Sequence, residues 1–422
     1  MARFDMVIFG ATGFTGRRAV QEVARLSKKY GPFTWAVAGR SETKLQDVLA
    51  EASKKTDENL SSIKKIIADV GDMASLKEMC GQAKVLVNCC GPYRLYGEPV
   101  VRATIDMKTH YVDVSGEPQF METMQLEYDA QAQENGVYII SACGFDSIPN
   151  DMGIVFLQQN FEGTVNSVES YLSTYIPPEL RAEAARTGMV HYGTWESLVY
   201  SVAHMKELAP LRKKLYPERM PTFKPKLQSR GVLHKRGGKW FLPFPGADAS
   251  VVYRSQRRRF EAGQRPAQFR PYARVGGLGA SLLAVAAALL LYLLALCGLS
   301  RRLLLDHPRF FSLGIVSRSG PSEAVMANSH FRFSLFASGW SRGRDLDGNQ
   351  PDKTLAAVVS GVNPGYGATV TGLLLSAVTI LKELDKMPGS GGVLTTAVAF
   401  KDTDLIKRLQ DNDFKFEIVA DK

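Results

Sequence analysis

Up to about residue 145, short apolar runs alternate with stretches of helical spacing. Met6–Phe9 is an unbroken apolar run, as a strand buried on both faces requires. Arg17–Leu26 follows, with Val20, Val23 and Leu26 on one helical stripe. Further strand-like runs are Phe33–Arg40, Ile63–Val70, Lys84–Cys90, His110–Val114 and Val137–Ala142. Helical spacing joins them through Leu45, Val48 and Leu49, then Leu76–Met79, Val100–Ile105 and Phe120–Gln133. Strands alternating with helices predict an α/β fold, a doubly wound parallel Rossmann sheet over residues 1–150.

Beyond residue 164 the period changes. Val165–Tyr175 and Phe331–Phe336 alternate as half-buried strands do, and 250–253 and 354–360 read as short strands. The stretch 177–245 is irregular and rich in Pro and basic residues. A second, mostly antiparallel α+β domain is expected over 151–270 and 301–390, to hold substrate and a homodimer contact. Gly367–Leu384 predicts a helix, and 391–422 a return to the Rossmann domain.

Between the halves of that second domain, at 275–300, lies an apolar anchor. Leu278–Leu299 carries no charged residue. As a helix it would be about 33 Å long, enough to cross hydrocarbon. Arg270 and Arg274 precede it, Arg301 and Arg302 follow it, and Arg254, Arg257, Arg258 and Arg259 lie upstream, a pattern that suits anionic lipid. Arginines on both flanks give the positive-inside bias no direction. A single crossing would also put strands of one sheet on opposite sides of a bilayer. A kinked or hairpin insertion from one face fits better, and suits a lipid-droplet monolayer. A buried core helix is the alternative.

At 422 residues, with 45% hydrophobic and 22% charged, the chain is long enough for two domains. A formal charge of +10 points to an anionic partner: nucleotide, phospholipid or nucleic acid. Nucleic acid ranks last, because the arginines cluster beside an apolar segment without interleaved aromatics. The five cysteines form neither a disulfide framework nor a zinc pattern, and no metal site is expected. No signal peptide is expected before the first strand, which suits a reducing, cytosol-facing location.

The chemistry starts at the first turn, Gly10-Ala11-Thr12-Gly13-Phe14-Thr15-Gly16. Gly10 permits the tight turn out of the strand, Gly13 lets a pyrophosphate approach the backbone, and Gly16 allows close helix packing. The helix N-terminus then faces the phosphates. A Gly-rich turn that binds nothing is the alternative. The second strand ends at Gly39-Arg40-Ser41, with Lys44 one turn on and no acid for a ribose 2′-hydroxyl. Arg40, Ser41 and Lys44 suit a 2′-phosphate, so NADP(H) is expected ahead of NAD(H). They would otherwise be solvated helix-start residues. Asp69 and Val70 end the third strand, near the adenine. Cys90, Gly91 and Pro92 follow the fourth, facing the nicotinamide.

Tyr93, Tyr96, Asp113, Ser115 and Asp146 are candidate proton donors, with Tyr93, Asp113 and Asp146 as the catalytic choices. The Asp146-Ser147-Ile148-Pro149 stretch would serve equally as a helix cap. No Tyr-x-x-x-Lys occurs, which counts against a short-chain dehydrogenase mechanism.

The Gly10–Gly16 turn, Trp35–Ser41, Asn88–Gly97, Ser115–Phe120 and Gly144–Pro149 together resemble the saccharopine dehydrogenase-like oxidoreductases. They are also similar to the mycobacterial trans-acting enoyl reductases of complex-lipid synthesis. The resemblance runs over the whole chain, most specifically in its N-terminal motifs. It implies a nicotinamide-dependent oxidoreductase associated with membranes or lipid droplets, and with mitochondria as a further location. It does not supply a substrate. An NADP(H)-dependent reductase of a lipid-like or acyl substrate is therefore expected. A nucleotide-binding scaffold on a lipid surface, without turnover, is the alternative.

Overall fold

Met6, Val7 and Ile8 are fully buried because strands pair on both sides of them. In the computed structural model, which describes residues 2–344, 346 and 349–420, this apolar run is the central strand of a parallel sheet. The first stretch of chain supplies β1 (Phe4–Phe9), β2 (Trp35–Gly39), β3 (Lys64–Ile67), β4 (Ala83–Asn88), β5 (His110–Asp113) and β6 (Tyr138–Ile140). Between them run α1 (Phe14–Lys29), α2 (Glu42–Thr56), α3 (Met73–Gly81), α4 (Tyr93–Asp106) and α5 (Pro118–Glu134). The stripe Val20, Val23 and Leu26 of α1 is buried as its spacing predicted.

A second compact unit begins at Asp146. It opens with α6 (Ile148–Asn160) and β7 (Gly163–Tyr175). The stretch expected to be irregular contains α7 (Arg181–Thr187), β8 (Val190–His191), α8 (Tyr192–Ala203), α9 (Leu208–Leu215), β9 (His234–Arg236) and β10 (Lys239–Pro243). Then come α10 (Asp248–Glu261), β11 (Gln268–Ala273), α11 (Leu278–Leu296), α12 (Gly298–Asp306), α13 (Pro308–Phe311), β12 (Val316–Ser317), α14 (Glu323–Asn328), β13 (His330–Ser341) and β14 (Lys353–Val362).

The chain returns to the first unit from Tyr366 to Leu409. There it forms α15 (Thr369–Glu383), β15 (Gly392–Leu394), α16 (Thr396–Phe400) and α17 (Leu405–Gln410). A last strand, β16 (Lys415–Val419), belongs to the second sheet.

The first sheet runs β15-β6-β5-β4-β1-β2-β3, all parallel: the expected six strands with β15 added at one edge. The second runs β16-β14-β13-β7-β11-β10-β9. Its pairs are antiparallel except β7 with β11. Phe331, Phe333, Leu335 and Ala337 alternate into its core. Gly153 lets α6 lie close to that face, since a Cβ there would sit 3.1 Å from Leu335 and 3.2 Å from Val359.

Three expectations are corrected. Residues 250–253 lie in α10, not a strand: Asp248 starts a helix whose stripe buries Val251, Val252 and Ser255. The final stretch does not all return to the Rossmann sheet, since β16 pairs with β14, and residues 421 and 422 lie outside the described residues. The arginines of α10 are not a free basic patch. Arg254 and Arg257 are buried, Arg257 pairs with Glu261 at 2.8 Å, and Arg258 with the same carboxylate at 3.5 Å.

Two helices are long and apolar enough to cross a membrane, by length and composition. The window Pro364–Lys386, which contains α15, is 72% buried, whereas α11 is 11% buried. α15 packs on α1 and the first sheet, so its apolarity is that of a core helix. α11 meets α8 and α12 along one edge, where Ala295 joins Trp195, Val199 and Leu304. Leu282, Leu283, Leu289, Leu290 and Leu293 stay exposed.

Candidate functional site

Gly10 turns the chain out of β1 at φ +77°, a conformation L side chains rarely adopt. A Cβ on it would lie 3.0 Å from the backbone of Cys89 and Cys90, so the turn rests on the end of β4. Gly16 is stricter: a Cβ there would collide with the Gly10 carbonyl oxygen and come within 2.7 Å of Ala11 Cα. The third glycine thus packs helix against turn, as the motif requires. Gly13 is exposed and caps α1 through extended backbone, with no side chain bonding the first turn. Arg17 holds the turn from behind: its guanidinium donates to the Thr12 carbonyl (3.2 Å) and to Glu51 (2.8 Å). Phe14 stands edge-on to Tyr366 and carries Arg18 on its ring, while Thr15 is half-buried beside it. This cradle of backbone at a helix N-terminus fits a dinucleotide pyrophosphate.

The next strand ends carry the residues expected beside a 2′-phosphate. Arg40 follows β2 with its side chain 76% exposed, 4.0 Å from Asp69. Ser41 caps α2, accepting the Lys44 N–H at 3.4 Å, and Lys44 is exposed. Ser41 therefore serves as the cap of α2 at this strand end. Asp69 accepts the Gly71 N–H at 2.8 Å and so shapes its own loop, with Val70 half-buried after it. Cys90 lies half-buried past β4, where burial raises its thiol and Arg40 pulls it back down. The ends of β1, β2, β3 and β4 thus form one rim containing the expected cofactor residues.

Behind that rim lies a buried polar network that only partly matches the expected catalytic set. Asp113 is fully buried and accepts four hydrogen bonds: Tyr111 hydroxyl (2.8 Å), Ser141 hydroxyl (2.9 Å), Ser115 N–H (2.9 Å) and Ala142 N–H (3.0 Å). Burial outweighs them and pushes its carboxyl up to about 6. Asn88 donates to Tyr111 (3.0 Å) and accepts the Cys90 N–H (2.9 Å). Tyr93 donates to the Asn88 carbonyl (2.9 Å) and accepts the Val114 N–H (3.3 Å). Burial holds its hydroxyl well above the ordinary tyrosine range. A proton so placed is costly to release, so Tyr93 braces the loop. Glu117, not among the expected site residues, accepts the N–H groups of Tyr93 (2.9 Å) and Arg94 (2.8 Å) and so caps α4. Ser115 in turn accepts the Glu117 N–H (3.2 Å). Gly91 and Pro92 join this loop to α4. Tyr96 is exposed on α4.

Asp146 belongs to the second unit. It is half-buried, its carboxyl raised by burial, and its charge lifts that of the buried Asp248. Among the described residues its carboxylate has no hydrogen-bond partner.

Asp113 makes a pH prediction. Its carboxyl is raised from 3.8 to about 6, so its contribution is fully present below pH 3.8 and is lost as pH rises through about 6. The loss is about 3 kcal/mol. Urea unfolding at pH 4 to 7.5 should show this slope in the wild type, and Asp113→Asn should lack it. Equal slopes would mean that Asp113 folds with its ordinary pKa.

Residues 6–140 match the family model described as the saccharopine dehydrogenase NADP binding domain. The protein binds NADP(H) through its first unit. Arg40→Ala should weaken NADPH binding about tenfold to a hundredfold, the loss of one or two charge-assisted bonds. NADH binding should barely change. Calorimetry with both nucleotides checks this, and an equal loss for both would remove Arg40 from the 2′-phosphate. Over 99% of its length the chain is 39% identical to the human protein named saccharopine dehydrogenase-like oxidoreductase, covering 97% of it. A Caenorhabditis elegans protein named lipid droplet localized protein is 36% identical over 100% of this chain and 99% of its own. Apo saccharopine dehydrogenase (L-Glu forming) from Saccharomyces cerevisiae has the same fold, with a TM-score of 0.52 over 98% of this chain and 99% of that one, at 14% identity. On the full-length likeness and the NADP-binding match together, the chain belongs to the saccharopine dehydrogenase-like oxidoreductases.

Proposed function

We propose that this NADP(H)-dependent oxidoreductase works at a lipid surface, reducing a lipid-like or acyl substrate. The observation that carries the proposal is α11: nineteen residues without charge, about 28 Å long, and 11% buried. A soluble protein rarely leaves so large an apolar face in water. The name of the C. elegans relative, lipid droplet localized protein, supports the same location.

Topology favours insertion from one side. β11, before the helix, and β13, after it, both pair with β7. A sheet cannot straddle a bilayer, so both ends of the inserted segment stay on one face. The helical backbone breaks at Cys297, and α12 folds back beside α11 and α8. Exposed Leu299, Leu303, Phe310 and Leu313 extend the apolar surface past that break. Arg301 and Arg302 flank it and suit anionic lipid.

Bound NADPH supplies hydride, and a side chain must supply the matching proton. Of the three candidates, Asp113 and Tyr93 are committed inside the first unit's network. Asp146 is the proton donor proposed here, because it is half-buried, raised by burial and its carboxylate has no hydrogen-bond partner among the described residues. Asp146→Asn should leave NADPH affinity unchanged and cut turnover on an acyl substrate by about a hundredfold or more. Undiminished turnover would pass the role to another group.

Flotation tests the surface. The wild type should float with phospholipid-coated oil droplets. The triple variant Leu282→Asp, Leu289→Asp, Leu293→Asp should stay in solution with its NADPH binding intact, since each buried acid costs about 2.5–3.5 kcal/mol at depth. Equal flotation of both would overturn the anchor. Droplet binding and NADPH binding with no turnover on any acyl substrate would leave a cofactor-bearing scaffold.

A further inference from the structure

The second unit contains a cavity of about 940 Å³, walled by α9, α10, β11 and the segment 216–227. Its size is that of a site for a cofactor-sized ligand. Lys213, Arg219, Lys226 and Arg270 line it, and among the described residues none of these four has an ion pair or side-chain hydrogen bond. One carboxylate, that of Glu218, shares the lining. Tyr216 and Tyr253 stand edge to face across part of the wall at 5.8 Å between rings, and Phe223 and Phe269 add further aromatic faces.

Two buried or half-buried arginines of this unit have carboxylate partners. Arg257 pairs with Glu261, and Arg230 with Glu169. Lys213, Arg219 and Lys226 are exposed at the mouth and Arg270 is half-buried, yet all four line one concavity instead of being scattered over the surface. A single carboxylate would match one of them. A phosphate ester, with two or more negative charges and several acceptor oxygens, matches the set. The aromatic rings offer stacking and apolar contact to the rest of the molecule. Arg270 sits on β11, and that strand leads within a few residues into α11, the apolar helix.

We propose that this cavity binds a multiply charged phosphate ester bearing an acyl chain, the charged end held by Lys213, Arg219, Lys226 and Arg270. The acyl chain rests on the lipid-surface reading above; the phosphate rests on the cavity itself. Two sources share this chemistry: a coenzyme A thioester and an anionic phospholipid.

Titration calorimetry of the full-length protein, saturated with NADPH, tests the proposal. The probes are oleoyl coenzyme A, dioctanoyl phosphatidic acid, inorganic pyrophosphate and free octanoate. At least one acyl phosphate ester should bind in the micromolar range, pyrophosphate more weakly, and octanoate weakest. Binding of the thioester alone, or of the phospholipid alone, supports the proposal and names the source. Lys226→Ala/Arg270→Ala should weaken that binding about tenfold or more, the loss of two charge-assisted contacts. Lys213→Ala/Lys226→Ala, which leaves β11 intact, should do the same. NADPH affinity should be unchanged in both. No binding by any phosphate ester, or equal affinity in wild type and both variants, would overturn the cavity site. Failures separate cleanly. Cavity binding without NADPH consumption on any acyl substrate sinks the reductase at the lipid surface and spares the cavity. Turnover on an acyl substrate, with no phosphate ester bound by the wild type, does the reverse.

Discussion

The carboxylate of Asp113 is the joint on which the first unit's ligand rim depends. It ends β5 and takes hydrogen bonds from Ser141 and Ala142, just past β6, and from Ser115 in its own loop. Through Tyr111 it reaches Asn88 at the end of β4, and through Asn88 the N–H of Cys90. Three adjacent strand ends are thus tied at one buried anion. Burying a charge is expensive, and here burial does lift its pKa. What it secures is positional: the loops that must face a cofactor are set by directional bonds rather than by apolar packing, which would leave them free to shift. Glu117 repeats the device nearby, one buried carboxylate fixing the first turn of α4 through two backbone amides.

This distinction explains which parts were legible in the sequence. The Gly10–Gly16 turn is a local device: strand, turn and helix follow each other within a few residues, and each glycine answers a steric demand made by its neighbours. The rim residues Arg40, Ser41 and Lys44 could be placed for the same reason. The bracing network could not. Glu117 meets Tyr93 across 24 positions, and Ser141 meets Asp113 across 28, so nothing local marks the partnership. Tyr93 stands after β4 as its place in the sequence implies, but the hydrogen bond its hydroxyl accepts from the Val114 N–H spans 21 positions and has no local mark. Ser250–Tyr253 misled in the opposite way. Four residues of strand-like composition carry no period, and the helix is set by Asp248 before them and the buried stripe through Ser255.

The second sheet imposes a different constraint. β7 lies between β11 and β13, which stand on either side of the apolar helix in sequence. That arrangement makes α11 an excursion from a finished sheet rather than part of its core. Composition alone could not separate α11 from α15, because both pass any test of length and apolarity. Their surroundings do: α15 is enclosed by α1 and the parallel sheet, while α11 touches its unit along one edge. The same apolar composition is thus buried in one helix and left exposed on the other.

The positive charge of the chain divides along similar lines. The arginines of α10 looked like a lipid-facing cluster in sequence, yet Arg254 and Arg257 are buried and Glu261 serves both Arg257 and Arg258. The charges of Arg257 and Arg258 are thus matched within the fold. Arg40 is different, exposed at the rim with its nearest carboxylate at 4.0 Å, a separation at which water and a ligand phosphate both compete. Lys213, Arg219, Lys226 and Arg270 go further, converging on one cavity without any such carboxylate pairing. A net charge of +10 spread evenly would give a diffuse field with weak preference for any anion. Gathered at the end of β2 and along one cavity, the same charge gives local fields to which an anion of matching size and shape would respond.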